Sequence, residues 1–451
     1  MVPNKTNEKG NKGTSERFSS SKGFILAAIG SAVGLGNMWK FPYITGENGG
    51  AAFFLLFIAC LIAVGLPVLL AELAIGRAGR GSASSSFVKA GGGKIWGKLG
   101  FISIIAPFLI MTFYILVAGW TLHYGVLSFS GRITSGVDFN AQFSEFTGSY
   151  MPLIWAFVAM VIVALVVVKG ISGGIEKFNK VLIPGMLALL VILMIRSVTL
   201  PGAMEGVNFF LAPDFSKLSP EAGLVALGHA FFSLSLGMGT MITYGAFVDR
   251  NQSLGTATLA VGAGDLIYAF IAGLIIFPTT FAFGIDPSSG PGLVFIALPA
   301  AFSAMPLGWL FGGLFFILLA IAALTSLVSL LQVPVTHAME KWNWSRNNAV
   351  WIISLLVFLL SIPSALSMGL MKIKVGKYAF FDFIDFFASN WLLPLGGLIV
   401  TLFAGYFWKN AAKEAGLTAK WFRIWLFMLR YVAPILMIFV FLHSTGILKF
   451  E

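Results

Sequence analysis

The chain reads as an all-α polytopic membrane protein. We expect 11 transmembrane helices, a 5+5 inverted repeat with discontinuous helices 1 and 6, and one extra C-terminal helix. Three observations predict this. Of the residues, 58% are hydrophobic and only 10% charged, against about 25% charged in a soluble domain. The apolar runs have the length of a bilayer crossing, about 20 residues. Two of those runs, five apart, carry clustered glycines at mid-membrane: GSAVGLGN (Gly30–Asn37) and SLSLGMGT (Ser233–Thr240).

In order, the expected spans are 24–46, 51–76, 100–129, 152–169, 175–198, 222–248, 255–284, 307–340, 347–366, 380–408 and 421–445. The proline-bearing stretch 286–306, with FIALPAAF, is too short and broken to cross. It reads as an outer loop with short helices. Residues 1–21 are polar and lysine-bearing, without the apolar core of a signal peptide, and read as a cytoplasmic tail. Most of the 29 basic residues then fall on one side of the membrane, which places the N-terminus inside and Glu451 outside. Lys372, Lys374 and Lys377 are the one outer cluster against that rule. The expected organisation is a tail (1–21), a first repeat (22–198), an outer loop (199–221), a second repeat (222–410), and the eleventh span with a short outer C-terminus (411–451).

The breaks carry the functional argument. Each glycine costs about 1 kcal/mol of helix propensity relative to alanine. A broken helix in hydrocarbon leaves backbone groups without partners, which is tolerated only around a protein-lined or watery cavity. Freed carbonyls and facing helix ends then suit a cation and an anionic group. From glycine alone, close helix packing serves equally well. The sequel WKFPY decides for a break, because Pro42 cannot continue a regular helix and Lys40 is a charge inside the membrane. A second such run, Ser233–Thr240, makes packing alone a poor account of both. The single cysteine, Cys60, excludes an intrachain disulfide framework, and the four histidines lack metalloprotease spacing.

GSAVGLGNMWKFPY (30–43), ENGGAAF (47–53), FFSLSLGMGTMITY (231–244) and LTSLVSLLQVP (324–334) resemble the neurotransmitter:sodium symporter family in its bacterial, hydrophobic amino-acid branch. The likeness runs from about residue 17 to 440. It implies two sodium ions. The first would take the carbonyl of Ala32 with Asn37, Ser233 and a seventh-span residue, here Asp265. The second would take the carbonyls of Gly30, Val33 and Ala322 with the hydroxyls of Thr325 and Ser326. Oxygen donors suit a hard cation. The substrate carboxylate would meet the Tyr114 hydroxyl and the amides of Leu35 and Gly36. Its side chain would lie among Ile110, Phe232, Ser235, Met238, Ser326 and Leu330.

Three departures from the family refine the reading. Gly34 stands where monoamine carriers have an acid, so the substrate must bring its own carboxylate. Asp265 stands where many relatives have asparagine, and Ala269 where chloride-dependent members have serine, so Asp265 can supply the charge that chloride supplies elsewhere. The outer gate pairs Lys40, in place of the usual arginine, with Asp385. A lysine lacks the bidentate fork. The family's inner latch has Arg17 and Glu340 as candidates, although Arg17 sits closer to the first span than expected. Between Gly174 and Pro184 lies a segment with a weak first turn and a missing hydrogen bond. It reads either as a hinge that unwinds or as an ordinary kinked helix start.

The expected function is sodium-coupled import of neutral, mainly hydrophobic L-amino acids by alternating access, independent of chloride, in the bacterial inner membrane. The partners are the amino acid and the bilayer, and no nucleic acid. The alternatives are an amino-acid sensor on the same scaffold and a proton-coupled carrier. No nucleophile–base pair supports an enzyme.

Overall fold

The computed structural model describes residues 16–288 and 292–445. Most of the expected tail, and the placement of Glu451, lie outside the described residues. The described chain is almost wholly helical. Its only sheet is a two-residue antiparallel hairpin, Lys374–Val375 with Tyr378–Ala379.

Among the described residues, nine helices are long and apolar enough to cross a bilayer. They are Ala51–Gly79, Ala83–Phe129, Met151–Val168, Ile171–Val198, Leu254–Ala282, Gly308–Trp342, Arg346–Ser367, Phe380–Phe407 and Ala419–His443. A bent pair, Ser21–Ala32 and Gly36–Glu47, adds one more crossing, with 43° between its halves. Ala222–Ser233 and Thr240–Ala246 flank a second interruption at Leu234–Gly239, and each is too short to cross alone. Treated as one broken crossing, they bring the count to eleven. The span boundaries differ from the sequence reading by a few residues. The exception is the third span, whose helix already begins at Ala83 and bends around Gly91–Gly93 before it enters the apolar run.

Local chemistry sets the helix ends. Ser20, Ser82, Asp138, Ser253 and Ser345 each cap a helix start by accepting a backbone N–H. Some prolines sit where the lost N–H costs little, as Pro152 and Pro394 do in first turns, whereas Pro107, Pro184, Pro278, Pro334 and Pro363 lie inside helices. The loop 286–306 holds a short helix, Leu293–Ala304, as expected. Two other connecting helices, Phe139–Thr147 and Ala203–Leu211, were not legible in the sequence.

The centre of the bundle is Gly308–Trp342, the most enclosed long helix, which lies along Ile102–Phe129. The half-helix Thr240–Ala246 packs on Leu66–Gly79 with backbones nearly touching. A Cβ on Gly76 would collide with the Ile242 carbonyl oxygen, and one on Gly245 with that of Leu73. Small residues here let two helices meet by dispersion where lipid gives no hydrophobic drive. That contact anchors the second half of the second broken helix to the second span.

Candidate functional site

Both interruptions face one another at the middle of the bundle. In the first, helix geometry is lost at Val33 and Gly34 and resumes from Leu35 as a wide turn. In the second, Ser235 adopts a left-handed conformation (φ 55°), as do Gly237 and Gly239. A non-glycine residue held there carries backbone strain, a common mark of functional sites.

A small cavity separates the breaks, with about 310 Å³ of space including its mouth. Ser31, Ala32, Gly34, Gly36, Ile110, Tyr114, Phe232, Ser233, Ser235, Met238, Ser326 and Leu330 line it. This brings together every residue expected to bind substrate except Leu35. The Leu35 amide donates instead to the Tyr114 hydroxyl across 2.9 Å. Gly34 is sterically required in this arrangement. A Cβ there would collide with Ser326 Oγ and lie 2.8 Å from Tyr114 Oη.

Beside the cavity, Asn37, Ser233 and Asp265 are buried and in direct contact. Asn37 Nδ2 donates to Asp265 Oδ1 at 2.8 Å, and Ser233 Oγ donates to the same oxygen at 2.5 Å. Ser233 Oγ also lies 3.1 Å from Asn37 Oδ1. Asp265 Oδ2 is buried with no partner among the described residues. A buried carboxylate oxygen without a donor is costly unless a cation meets it. The donor set is hard oxygen, which suits a sodium ion as cargo.

The residues expected at a second ion site lie on Ser21–Ala32, on the break, and on Gly308–Trp342, and these two helices pack together. Thr325 Oγ1 donates back to its own helix, 3.0 Å from the Ile321 and Ala322 carbonyl oxygens. Ser326 Oγ reaches the Ser31 carbonyl at 3.4 Å.

Sequence reasoning missed two sets of residues. Ser31 and Ser329 share a 2.8 Å hydrogen bond, and Ser235 Oγ donates to the Ser31 carbonyl at 2.8 Å, so two helices and the second break are tied at the cavity wall. Glu72 is wholly buried, and its Oε1 accepts from the Gly237 amide at 2.7 Å, which holds the second break. It was visible as a lone acid in the apolar part of a 29-residue span.

The gates differ from expectation. The outer pair Lys40–Asp385 is not closed, because among the described residues no ion pair within 4.0 Å joins them. Lys40 Nζ lies over the Phe232 ring, 5.0 Å from its centroid, and Asp385 Oδ1 accepts from Ser389 Oγ at 2.9 Å. The ring face offers the compact ammonium a partner above the cavity. The inner pair Arg17–Glu340 is also not formed. Arg17 faces Asp249 at 3.6 Å, and Glu340 binds Lys89 at 2.7 Å, the Ser82 amide and the Ser85 hydroxyl. The neighbouring residue makes the tail contact with opposite polarity. Glu16 takes a two-pronged contact from Arg346, at 3.1 and 2.5 Å, and Arg346 also donates to Gln332 Oε1 and the Val167 carbonyl. Adjacent residues point to different sides, so a one-residue shift inverts the pair.

The segment between Gly174 and Pro184 is helical throughout. Its first turn is wide, over Ile171–Glu176, and follows Gly170 at φ 81°. Glu176 is buried and accepts from the Ser19 amide and from the hydroxyls of Ser19 and Ser20.

A helical membrane bundle with two facing helix breaks, a small cavity between them and a buried oxygen cluster suited to a small cation defines an ion-coupled carrier. The chain belongs to the sodium:neurotransmitter symporter family, whose profile matches residues 15–136 and 141–450. It is 38% identical to the sodium-dependent transporter YhdH of Bacillus subtilis, over 96% of this chain and 98% of that protein. It is 34% identical to the sodium-dependent transporter MJ1319 of Methanocaldococcus jannaschii, over 96% and 91%. The crystal structure of MhsT in complex with L-phenylalanine superposes with a TM-score of 0.90 at 44% identity, covering 96% of this chain and all of that one. The protein is therefore a multi-pass, sodium-coupled transporter and not an enzyme.

Proposed function

We propose that the chain imports neutral, mainly hydrophobic L-amino acids by alternating access, with two sodium ions and without chloride. The observation that carries this is the Asn37–Ser233–Asp265 cluster with its unpartnered carboxylate oxygen, set against a cavity walled by Ile110, Phe232, Met238 and Leu330. Sodium at the cluster would bring a positive charge to the cavity edge. The substrate carboxylate would complete its shell and accept from Tyr114 and the amides of Leu35 and Gly36. The apolar walls would take the side chain, and Met238, unbranched and adaptable, would admit several sizes. The L-phenylalanine bound to MhsT supports this class.

Asp265 would provide the fixed negative charge beside the first ion. Gly30, Val33, Ala322, Thr325 and Ser326 would hold the second. We further propose eleven crossings, ten of them in two inverted repeats of five, 22–198 and 222–410, and the eleventh outside the repeat, with the end bearing Glu16 and Arg346 facing the cytoplasm. The segment 174–184 would unwind there to admit water to the second ion. The test is uptake of labelled phenylalanine, leucine and glycine into proteoliposomes, with sodium, proton and chloride gradients varied separately. Phenylalanine accumulation driven by sodium alone is expected. Accumulation driven by a proton gradient without sodium, or a requirement for chloride, overturns the reading.

A further inference from the structure

At the end of the molecule that bears Glu16 and Arg346 lies an open vestibule, with about 2400 Å³ of space including its mouth. Its charges do not balance. Three of its bases are matched: Lys89 with Glu340, Arg346 with Glu16, and Arg17 with Asp249. The last pair is long, at 3.6 Å, and more than half exposed on both sides, so it holds weakly. Arg80 and Arg250 also line the vestibule, and among the described residues neither has an acid within 4.0 Å.

Arg80 is set there at a cost. It ends the helix Leu66–Gly79 in a left-handed conformation (φ 50°, ψ 44°), although glycines flank it on both sides. A non-glycine residue in that region is strained by about 1 kcal/mol or more. Partial burial, then the charges of Arg17 and Arg250, lower the Arg80 pKa below the usual guanidinium range. Arg77 adds to the crowding, although its own group is engaged by Glu414 and the Gln252 carbonyl. Arg17, Arg80 and Arg250 thus lie within electrostatic reach of one another and of one carboxylate, Asp249, with Arg80 half-buried and the others exposed at the rim of the vestibule. That is an unmet demand for negative charge.

We propose that Arg80 and Arg250, with Arg17 swinging from Asp249, form a binding site for a phosphate-class oxyanion. The guanidinium fork matches phosphate bidentately, and several forks exceed what one carboxylate can accept. A phosphate monoester carries about −1.5 to −2 at pH 7, close to the two unmatched charges. The phosphate can be free in solution, or the singly charged phosphodiester headgroup of an inner-leaflet lipid, which would meet one of the two charges. Either would reinforce the seal around the tail residues Glu16 and Phe18, whose partners Arg346 and Phe247 share this wall.

The test uses the full chain in nanodiscs of pure phosphatidylcholine, titrated calorimetrically with inorganic phosphate against chloride at equal ionic strength. One saturable site is expected. Arg80→Gln with Arg250→Gln should weaken it at least tenfold. Asp249→Asn should tighten it, an opposite change that misfolding does not produce. Repeating the titration in phosphatidylglycerol discs separates the sources. Loss of the phosphate signal there supports a lipid headgroup, and an unchanged signal supports a soluble phosphate. Absence of saturable binding in phosphatidylcholine discs, or equal affinity in the double variant, overturns the site.

Discussion

Ser233 donates to Asp265 Oδ1 across 2.5 Å, from one side of a broken helix to the middle of an unbroken one. With Asn37 on the same oxygen, this leaves Asp265 Oδ2 as the buried acceptor without a donor. Ala269, one turn further along the same helix, is buried as well. If the carboxylate supplies the charge that chloride supplies elsewhere in the family, replacing chloride by gluconate should leave wild-type uptake unchanged. Asp265→Asn alone should cut uptake at least tenfold. Asp265→Asn with Ala269→Ser should recover part of it in chloride but not in gluconate. Failure of chloride to rescue the double variant would reduce Asp265 to a simple sodium ligand.

The absent side chain at Gly34 gives a second prediction. A methyl group there would press on Ser326 Oγ and Tyr114 Oη. Overpacking of this kind costs about 1–3 kcal/mol, so Gly34→Ala should weaken substrate binding by roughly 5- to 150-fold. Adding Ser326→Ala removes the nearer clash and should restore part of the affinity. Equilibrium binding of labelled phenylalanine in detergent measures both. Unchanged affinity in Gly34→Ala would mean that the substrate does not touch this wall.

Much of this was legible in the sequence, for physical reasons. Spans are set by bilayer thickness, so apolar run length located them to within a few residues. The breaks announced themselves because glycine and proline are costly inside a helix. The connecting helices Phe139–Thr147 and Ala203–Leu211 were missed because a nine-residue helix in a loop has little periodicity to read. Ser31 and Ser329 were missed because a hydroxyl's partner depends on tertiary placement. The inner pair was misassigned between neighbours, Arg17 and Glu16, because one residue of shift along the tail changes which charge faces inward.

Ion coupling can be measured at Thr325. A tenfold sodium gradient is about 1.4 kcal/mol per ion, and 100 mV adds about 2.3 kcal/mol per charge. One ion then supports accumulation near 500-fold and two about 10⁵-fold. Thr325→Val keeps the shape of the side chain but removes the hydroxyl now resting on Ile321 and Ala322. We predict that concentrative uptake falls toward the one-ion limit and that its sodium dependence loses sigmoidal character. A wild-type accumulation ratio in this variant would remove Thr325 from the ion path.

The Glu16–Arg346 contact should govern how readily the tail end opens. It is two-pronged and partly buried, with Arg346 also held by Gln332 and Val167. Charge-assisted bonds of this kind are worth about 1.5–3 kcal/mol. Glu16→Gln should raise hydrogen exchange at residues 17–20 and favour opening at this end. Arg17→Gln should do much less, because its pair with Asp249 is long and exposed. The exchanged pair Glu16→Arg with Arg346→Glu should recover protection in part. Equal effects from Glu16 and Arg17 would show that the tail is held by packing of Phe18 against Phe24 and Tyr244 rather than by charge.

The proposed hinge can be tested without damaging its packing. Gly174→Ala is a poor probe, because its Cβ would collide with the Val166 carbonyl oxygen. A methyl group on Gly173 would meet nothing within 4 Å, so Gly173→Ala adds helix propensity in open space. Pro184→Ala restores an N–H donor to the helix interior, for the carbonyl four residues back. Together they should stiffen 174–184 from both ends. Glu176 would keep its bonds to Ser19 and Ser20, so the resting structure should not change. We predict slower transport and reduced hydrogen exchange at 175–183, with equilibrium substrate binding nearly intact. A simple kinked helix start predicts the exchange change without the loss of rate. Wild-type values for both rate and exchange would remove the hinge.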